Sequence, residues 1–103
     1  MKILLIAFFI LLFSLPSFSQ GNYHTTSKQA IENFEKALKF FDLKDDVNAL
    51  KYLERALKAD DEFIEAYMMM AQIYKDRQEF TKGIYFFEKG LDVNPKFNPP
   101  GYL

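Results

Sequence analysis

The residues of this chain that could take part in chemistry are one histidine and two groups of acidic residues. His24 is the single histidine and there is no cysteine, so a thiolate nucleophile and a metal site built from Cys or several His ligands are excluded. The groups Asp45-Asp46 and 60–62 (Asp-Asp-Glu) could form paired acids or a cation site. Both stand where helices are expected to begin, however, and carboxylates there accept hydrogen bonds from free backbone N–H groups. We therefore expect helix capping for the acidic groups and an exposed position for His24.

The motif inventory and the composition exclude further functions. The sequence has no Gly-rich phosphate loop, no nucleophile elbow and no His-Glu-x-x-His zinc motif, so we expect no enzyme activity and no cofactor or metal. Thirteen Lys and Arg against fourteen Asp and Glu give a net charge of −1, which offers no strongly basic surface for nucleic acid. The 103 residues, half of them hydrophobic, are typical of one small globular domain.

The amino-terminal stretch has the pattern of a secretory signal peptide. A lysine is followed by eleven apolar residues at 3–13 and then by a polar exit in which Ser17 and Ser19 are small. The apolar run is shorter than the roughly 20 residues that span a bilayer. We expect residues 1–19 to be a signal peptide that is cleaved between Ser19 and Gln20. The protein would then be exported to the periplasm or the outer membrane; a retained membrane anchor is the alternative.

The remainder of the chain contains an internal repeat. Residues 52–57 (Tyr-Leu-Glu-Arg-Ala-Leu) match residues 86–91 (Phe-Phe-Glu-Lys-Gly-Leu) in class at every position. We call the distance from a residue of the first segment to its counterpart in the second, as from position 52 to position 86, the repeat offset. The same offset pairs Ala37 with Ala71. Apolar residues recur at helical spacing, and no strand-like alternation occurs. The pattern predicts two helix–turn–helix units, with helices at about 27–41, 46–59, 62–77 and 80–93.

The second unit resembles a tetratricopeptide repeat. Its large and small residues fall at the family's signature positions, and a proline closes it. The first unit matches less well, because Asn33 and Lys36 stand where the family has bulky residues. A one-residue shift of the first helix would repair the match, which leaves its register open. The matching positions are Ala37, Phe40, Ala49, Leu53 and Ala56 in the first unit and Tyr67, Met70, Ala71, Tyr74, Gly83, Phe87, Gly90 and Pro95 in the second.

The resemblance implies an all-α fold in which antiparallel helix–turn–helix repeats stack into an α-solenoid. Small residues allow the two helices of a unit to approach closely, and large residues fill the remaining space. About two repeats and the start of a third are expected. The implied organisation is a signal peptide over 1–19, an exposed tail over 20–26, repeats over 27–95 (the first at about 30–61, the second at about 64–95) and a linker or further repeat over 96–103.

The resemblance also implies a concave groove, lined by the first helix of each unit, that binds a partner. Exposed methionine suits adaptable binding surfaces, although packing against a neighbouring repeat is an equal alternative for Met68 and Met69. The Lys, Arg and Asn clamp with which some relatives bind acidic tails is absent, so an apolar or mixed peptide is expected. The groove residues implied are Phe34, Leu38, Phe41, Glu65, Met68, Met69, Gln72 and Lys75.

The expected function is a non-catalytic protein-interaction scaffold of the bacterial cell envelope, with a protein or peptide partner. One alternative is the amino-terminal repeat segment of a larger peptidoglycan-associated outer-membrane protein. Others are a small secreted hydrolase and a membrane-active amphipathic bundle, which would need a more basic polar face. No membrane span is expected after signal cleavage. Self-association is expected through the last helix, around Ile84, Phe87 and Leu91, because two repeats are fewer than a stable stack usually needs.

Overall fold

The computed structural model describes residues 23–97, which form four α-helices and no strand. Helix α1 packs against α2, α3 packs against α4, and the contact between α2 and α3 joins the two pairs. The expected all-α architecture of helix–turn–helix repeats is confirmed. The expected signal peptide, its cleavage site at Ser19 and Gln20, and residues 98–103 lie outside the described residues. The helices are α1 (Lys28–Asp42), α2 (Asp46–Ala59), α3 (Ile64–Asp76) and α4 (Phe80–Val93).

Side-chain caps fix the start of the first two helices. The Ser27 hydroxyl accepts a hydrogen bond from the N–H of Ala30 at 3.1 Å. The Asp45 carboxylate accepts from the backbone N–H of Asn48 at 3.2 Å and from its side-chain amide at 2.7 Å. Such bonds satisfy N–H groups that have no partner within a helix. Helices α3 and α4 begin without a side-chain cap, so the acidic residues at 60–62 do not cap α3 as expected.

The turns inside the two helix pairs have the same backbone geometry at positions related by the repeat offset. Lys44 and Gln78 both have a φ of 62°. Their N–H groups donate to the carbonyls of Phe41 and Lys75 at 3.0 and 2.9 Å, respectively. The first helix therefore follows the repeat without the one-residue shift that the sequence left open.

An aromatic stack joins the two helices of each pair at equivalent positions. The rings of Phe40 and Tyr52 are 5.5 Å apart and inclined by 6°, and those of Tyr74 and Phe86 are 5.5 Å apart and inclined by 8°. Offset stacking of this kind adds to the apolar burial that holds two helices together. Within residues 23–97, none of the helices has the length and apolar character needed to cross a bilayer.

Candidate partner-binding groove

The segment before α1 packs into the space between α1 and α3. The Tyr23 ring lies 5.3 Å from that of Phe34 on α1 and 5.9 Å from that of Phe63, which precedes α3. The Phe34 and Phe63 rings are themselves 5.0 Å apart, so the three form one cluster. Burial raises the pKa of the Tyr23 hydroxyl, and the nearby carboxylates of Glu35 and Glu65 raise it further. The expectation of an exposed tail over 20–26 is therefore wrong at Tyr23.

His24 attaches this segment to the beginning of α3. Its backbone N–H donates to both carboxylate oxygens of Glu65, at 3.0 and 3.2 Å, and its ring Nδ1 lies 2.8 Å from the nearer of them. The ring also meets Phe97 edge to face at 5.4 Å. Next along the chain, the Thr25 hydroxyl donates to the carboxylate of Asp60. The His24 side chain is exposed, as expected, although these contacts hold it against α3.

Two of the residues assigned to the groove from the sequence are buried. Phe34 is 5 % exposed and Met68 is 3 % exposed. The rings of Tyr23 and Phe63 cover Phe34. The terminal methyl group of Met68 lies where a β-carbon on Gly90 would stand. Neither side chain can form the surface of a groove as the sequence predicted. Met68 also does not pack against a neighbouring repeat, the alternative that the sequence left open, because it contacts Gly90 on α4 of its own unit.

The other predicted groove residues lie at the surface or close to it. Leu38, Phe41 and Met69 are half-buried and pack against the core. Gln72 is half-buried and donates from its amide to the carboxylate of Asp76 at 2.7 Å, and Lys75 is exposed. The Glu65 carboxylate already accepts hydrogen bonds from His24, as described above. The residues still available to a partner thus lie in the second halves of α1 and α3.

Comparison with known protein families matches residues 64–97 to the tetratricopeptide repeat. The match begins at the first residue of α3 and ends at Phe97. Residues 64–97 form a tetratricopeptide repeat. Comparison with curated proteins and with solved structures gives no significant match. Tetratricopeptide repeats bind other proteins and are generally not enzymes, which supports a protein-interaction scaffold at this coarse level.

Packing within the tetratricopeptide repeat follows the sizes of its signature residues. Gly83 is buried against α3, and a β-carbon there would lie 3.3 Å from the carbonyl oxygen of Ala71. Met70 and Ala71 are buried, whereas Pro95 is exposed. The large residues Tyr67, Tyr74 and Phe87 are half-buried. In the helix pair before the repeat, the equivalent small and branched residues are fully buried. These are Ala37, Ala49, Leu53 and Ala56.

Three residues that shape the groove were not assigned to it from the sequence: Tyr23, His24 and Phe63. Phe63 could have been found, because the repeat offset pairs it with Phe97. Tyr23 and His24 precede the first helix, and the repeat offset pairs neither of them with a residue that shares its chemistry. Periodicity therefore gives no signal for them.

Asp45 and Asp60, one from each acidic group, take structural roles. No group of three or more His, Asp or Glu residues there could hold a metal ion. The hydrogen bonds that Asp45 accepts from Asn48 lower the pKa of its carboxyl. Asp60 accepts from the backbone N–H of Glu62 at 3.0 Å as well as from Thr25. These bonds order the ends of α1, α2 and α3.

Proposed function

We propose that the chain is a scaffold of the bacterial envelope that binds a peptide or a partner helix along the second halves of α1 and α3. The observation that carries this proposal is the row of accessible side chains that these two helices offer at equivalent repeat positions. Leu38 on α1 corresponds to Gln72 on α3, and Phe41 corresponds to Lys75. In tetratricopeptide repeats, the first helix of each unit contributes to the partner-binding surface.

The two sides of this row differ in chemistry. Leu38 and Phe41 make the α1 side apolar, and the half-buried Met69 extends this character to α3. Gln72 and Lys75 make the α3 side polar, with an amide group and a positive charge. A partner segment that is apolar on one side and carries hydrogen-bond acceptors or a carboxylate on the other complements this surface.

The amino-terminal segment limits where such a partner can lie. Tyr23 covers Phe34 in the first half of α1, and His24 engages Glu65 in the first turn of α3. A partner that leaves these contacts intact binds nearer to the turns that follow α1 and α3. The apolar side chains there are Leu38 and Phe41, which we propose as the principal contacts.

Capture from envelope extracts by the purified chain tests this proposal. Leu38→Glu should abolish capture of any partner that the native chain retains, because a carboxylate would be desolvated in the apolar contact. Val47→Glu is the matched control, since Val47 is exposed on α2 away from the row and should leave capture unchanged. Circular dichroism must show that both variants keep their helices. Equal capture by the native chain and the folded Leu38→Glu variant would contradict the proposal.

The envelope location rests on the amino-terminal pattern and is tested separately. We expect the exported protein to begin at Gln20, after cleavage that follows Ser19. Intact-mass measurement of the protein recovered from the cell envelope checks this. A mass that includes residues 1–19 would support a retained anchor instead.

A further inference from the structure

Helix α4 carries a line of apolar side chains on its outer surface. Phe80 and Ile84 are each 58 % exposed, and the half-buried Leu91 continues the line two turns later. We call these three residues the α4 stripe. Their spacing of four and seven positions places them on one face of the helix. From this face we infer that the chain forms a dimer, in which the α4 stripes of two copies pack against each other about a two-fold axis.

The first helix pair indicates what kind of element covers such a stripe. Through the repeat offset, Leu50 and Leu57 of α2 correspond to Ile84 and Leu91 of α4. In α2 these leucines pack against the core cluster that α2 shares with α3. At two of the three stripe positions, the counterpart side chains are thus packed against a core to which a neighbouring α-helix with an apolar face, α3, contributes. The occupant of the α4 stripe is expected to be of the same kind.

A head-to-tail arrangement of copies does not supply that helix. The side of α3 that reaches the shared core contains Met70 and Ile73, both buried. The counterparts on α1 are Lys36 and Lys39, which are exposed. Stacking α1 of one copy on α4 of the next would therefore desolvate lysine side chains against apolar ones. A two-fold dimer avoids this, because each copy offers the same apolar stripe to the other.

The charges at the ends of α4 favour an antiparallel arrangement of the two stripes. Helix α2 has Asp46 in its first turn and Lys58 in its last turn, which suits its dipole. At the equivalent positions α4 has Phe80 and Asp92, and it has neither an acid in its first turn nor a base in its last. Asp92 therefore stands at the negative end of its own helix. In an antiparallel pair it lies beside the positive end of the partner helix, where a carboxylate is stabilised.

Sedimentation tests the dimer, using protein expressed from residue 1 onward and purified in the form that the cell accumulates. The native chain should change from monomer to dimer as its concentration rises. Ile84→Glu should weaken the dimer by about 100-fold, because it places a charge at the centre of the contact. Val47→Glu alters an exposed valine outside the α4 stripe and should leave the dissociation constant unchanged. Circular dichroism confirms that both variants remain helical.

Cross-linking tests the relative orientation of the two α4 helices. The chain has no native cysteine, so an introduced thiol is the only one that reacts. Thr81→Cys and Lys89→Cys variants, which both keep Asp92, are mixed and treated with a short bifunctional thiol reagent. An antiparallel pair gives mainly the mixed product, since the two positions lie in opposite halves of α4. A parallel pair gives mainly the two self-linked products and would overturn the orientation.

Other outcomes of the sedimentation experiment overturn the dimer itself. A monomer at every concentration would mean that the stripe binds a different protein or is covered by the chain itself. A series of growing oligomers would indicate head-to-tail stacking. A dimer that Ile84→Glu and Val47→Glu weaken equally would place the contact elsewhere. Because the dimer contact lies on α4 and the proposed partner contact lies on α1 and α3, failure of one leaves the other intact.

Discussion

The methyl group of Met68 on α3 fills the space next to Gly90 on α4 that a β-carbon would need. The equivalent residue of the first pair, Ala56, is fully buried with its methyl group in place. The two helix pairs therefore fill the same space with different side chains. A long side chain on α3 compensates for the missing one on α4, and the two residues should be energetically coupled.

A double-mutant cycle measures this coupling. Gly90→Ala in the native chain gains about 1 kcal/mol of helix propensity but displaces the Met68 methyl, so its net effect on the free energy of unfolding should be near zero or destabilising. In a Met68→Leu background, where the side chain is shorter, the same change should stabilise the fold by up to about 1 kcal/mol. Urea unfolding of the four proteins gives the values. Additive effects would show that the two residues do not compete for space.

Two turn residues with positive φ predict stabilising substitutions. Lys44 and Gln78 have a φ of 62°, a region that costs residues with a β-carbon about 1 kcal/mol relative to glycine. Lys44→Gly and Gln78→Gly should each raise the free energy of unfolding by about 0.5–1 kcal/mol. Leu43→Gly is the matched control, because its φ of −82° suits any residue and the change should destabilise. If Leu43→Gly has a higher melting temperature than Lys44→Gly, the positive φ of Lys44 does not cost the fold stability.

The repeat was predictable from the sequence because it rests on local pattern. The match of residues 52–57 to 86–91 defined the repeat offset, and the same offset relates the turns at Lys44 and Gln78. Apolar periodicity and helix-stop signals then located the four helices to within a few residues. Periodicity and stop signals act within one or two turns of helix, and the repeat compares two segments of the same chain, so a single sequence displays both kinds of signal.

The surface of the groove was less predictable because it depends on contacts between distant residues. Phe34 and Met68 occupy the groove position of the two helix pairs, yet both are buried. Phe34 is covered by Tyr23, which periodicity cannot place, and Met68 is drawn toward Gly90 because that glycine leaves space on α4. Spacing on a helix shows which face a residue is on, but not what another segment lays over it.

The bonds between His24 and Glu65 predict that substituting Glu65 destabilises the fold more than substituting His24 does. Glu65→Ala removes every acceptor used by His24 and should destabilise by about 1–2 kcal/mol. His24→Ala keeps the backbone N–H bonds and loses only the exposed ring contacts, so about 0.5 kcal/mol is expected. Amide hydrogen exchange at Tyr23 and His24 should accelerate more in the first variant than in the second. Glu62→Ala, on the exposed turn before α3, controls for the loss of one surface carboxylate. Equal exchange in the two variants would mean that the backbone bonds do not hold the segment.

The cap at Asp45 predicts how stability responds to acid. Hydrogen bonds from Asn48 lower the pKa of this carboxyl below its usual value of 3.8. A carboxyl whose pKa is lower in the folded state stabilises the fold at neutral pH. That contribution is complete above the usual value and disappears as the pH falls through the lowered one.

Asp45→Asn isolates this contribution, because asparagine still accepts a cap bond but does not titrate in this range. The melting temperature of the variant should fall less than that of the native chain as the pH is lowered from neutral to the acid end of the titration. Glu32→Gln, on the exposed face of α1, controls for the general effect of removing one negative charge. Thermal melts followed by circular dichroism across the acid range supply the comparison. If Asp45→Asn and the native chain lose stability in parallel, the carboxylate of Asp45 is not what couples the start of α2 to pH.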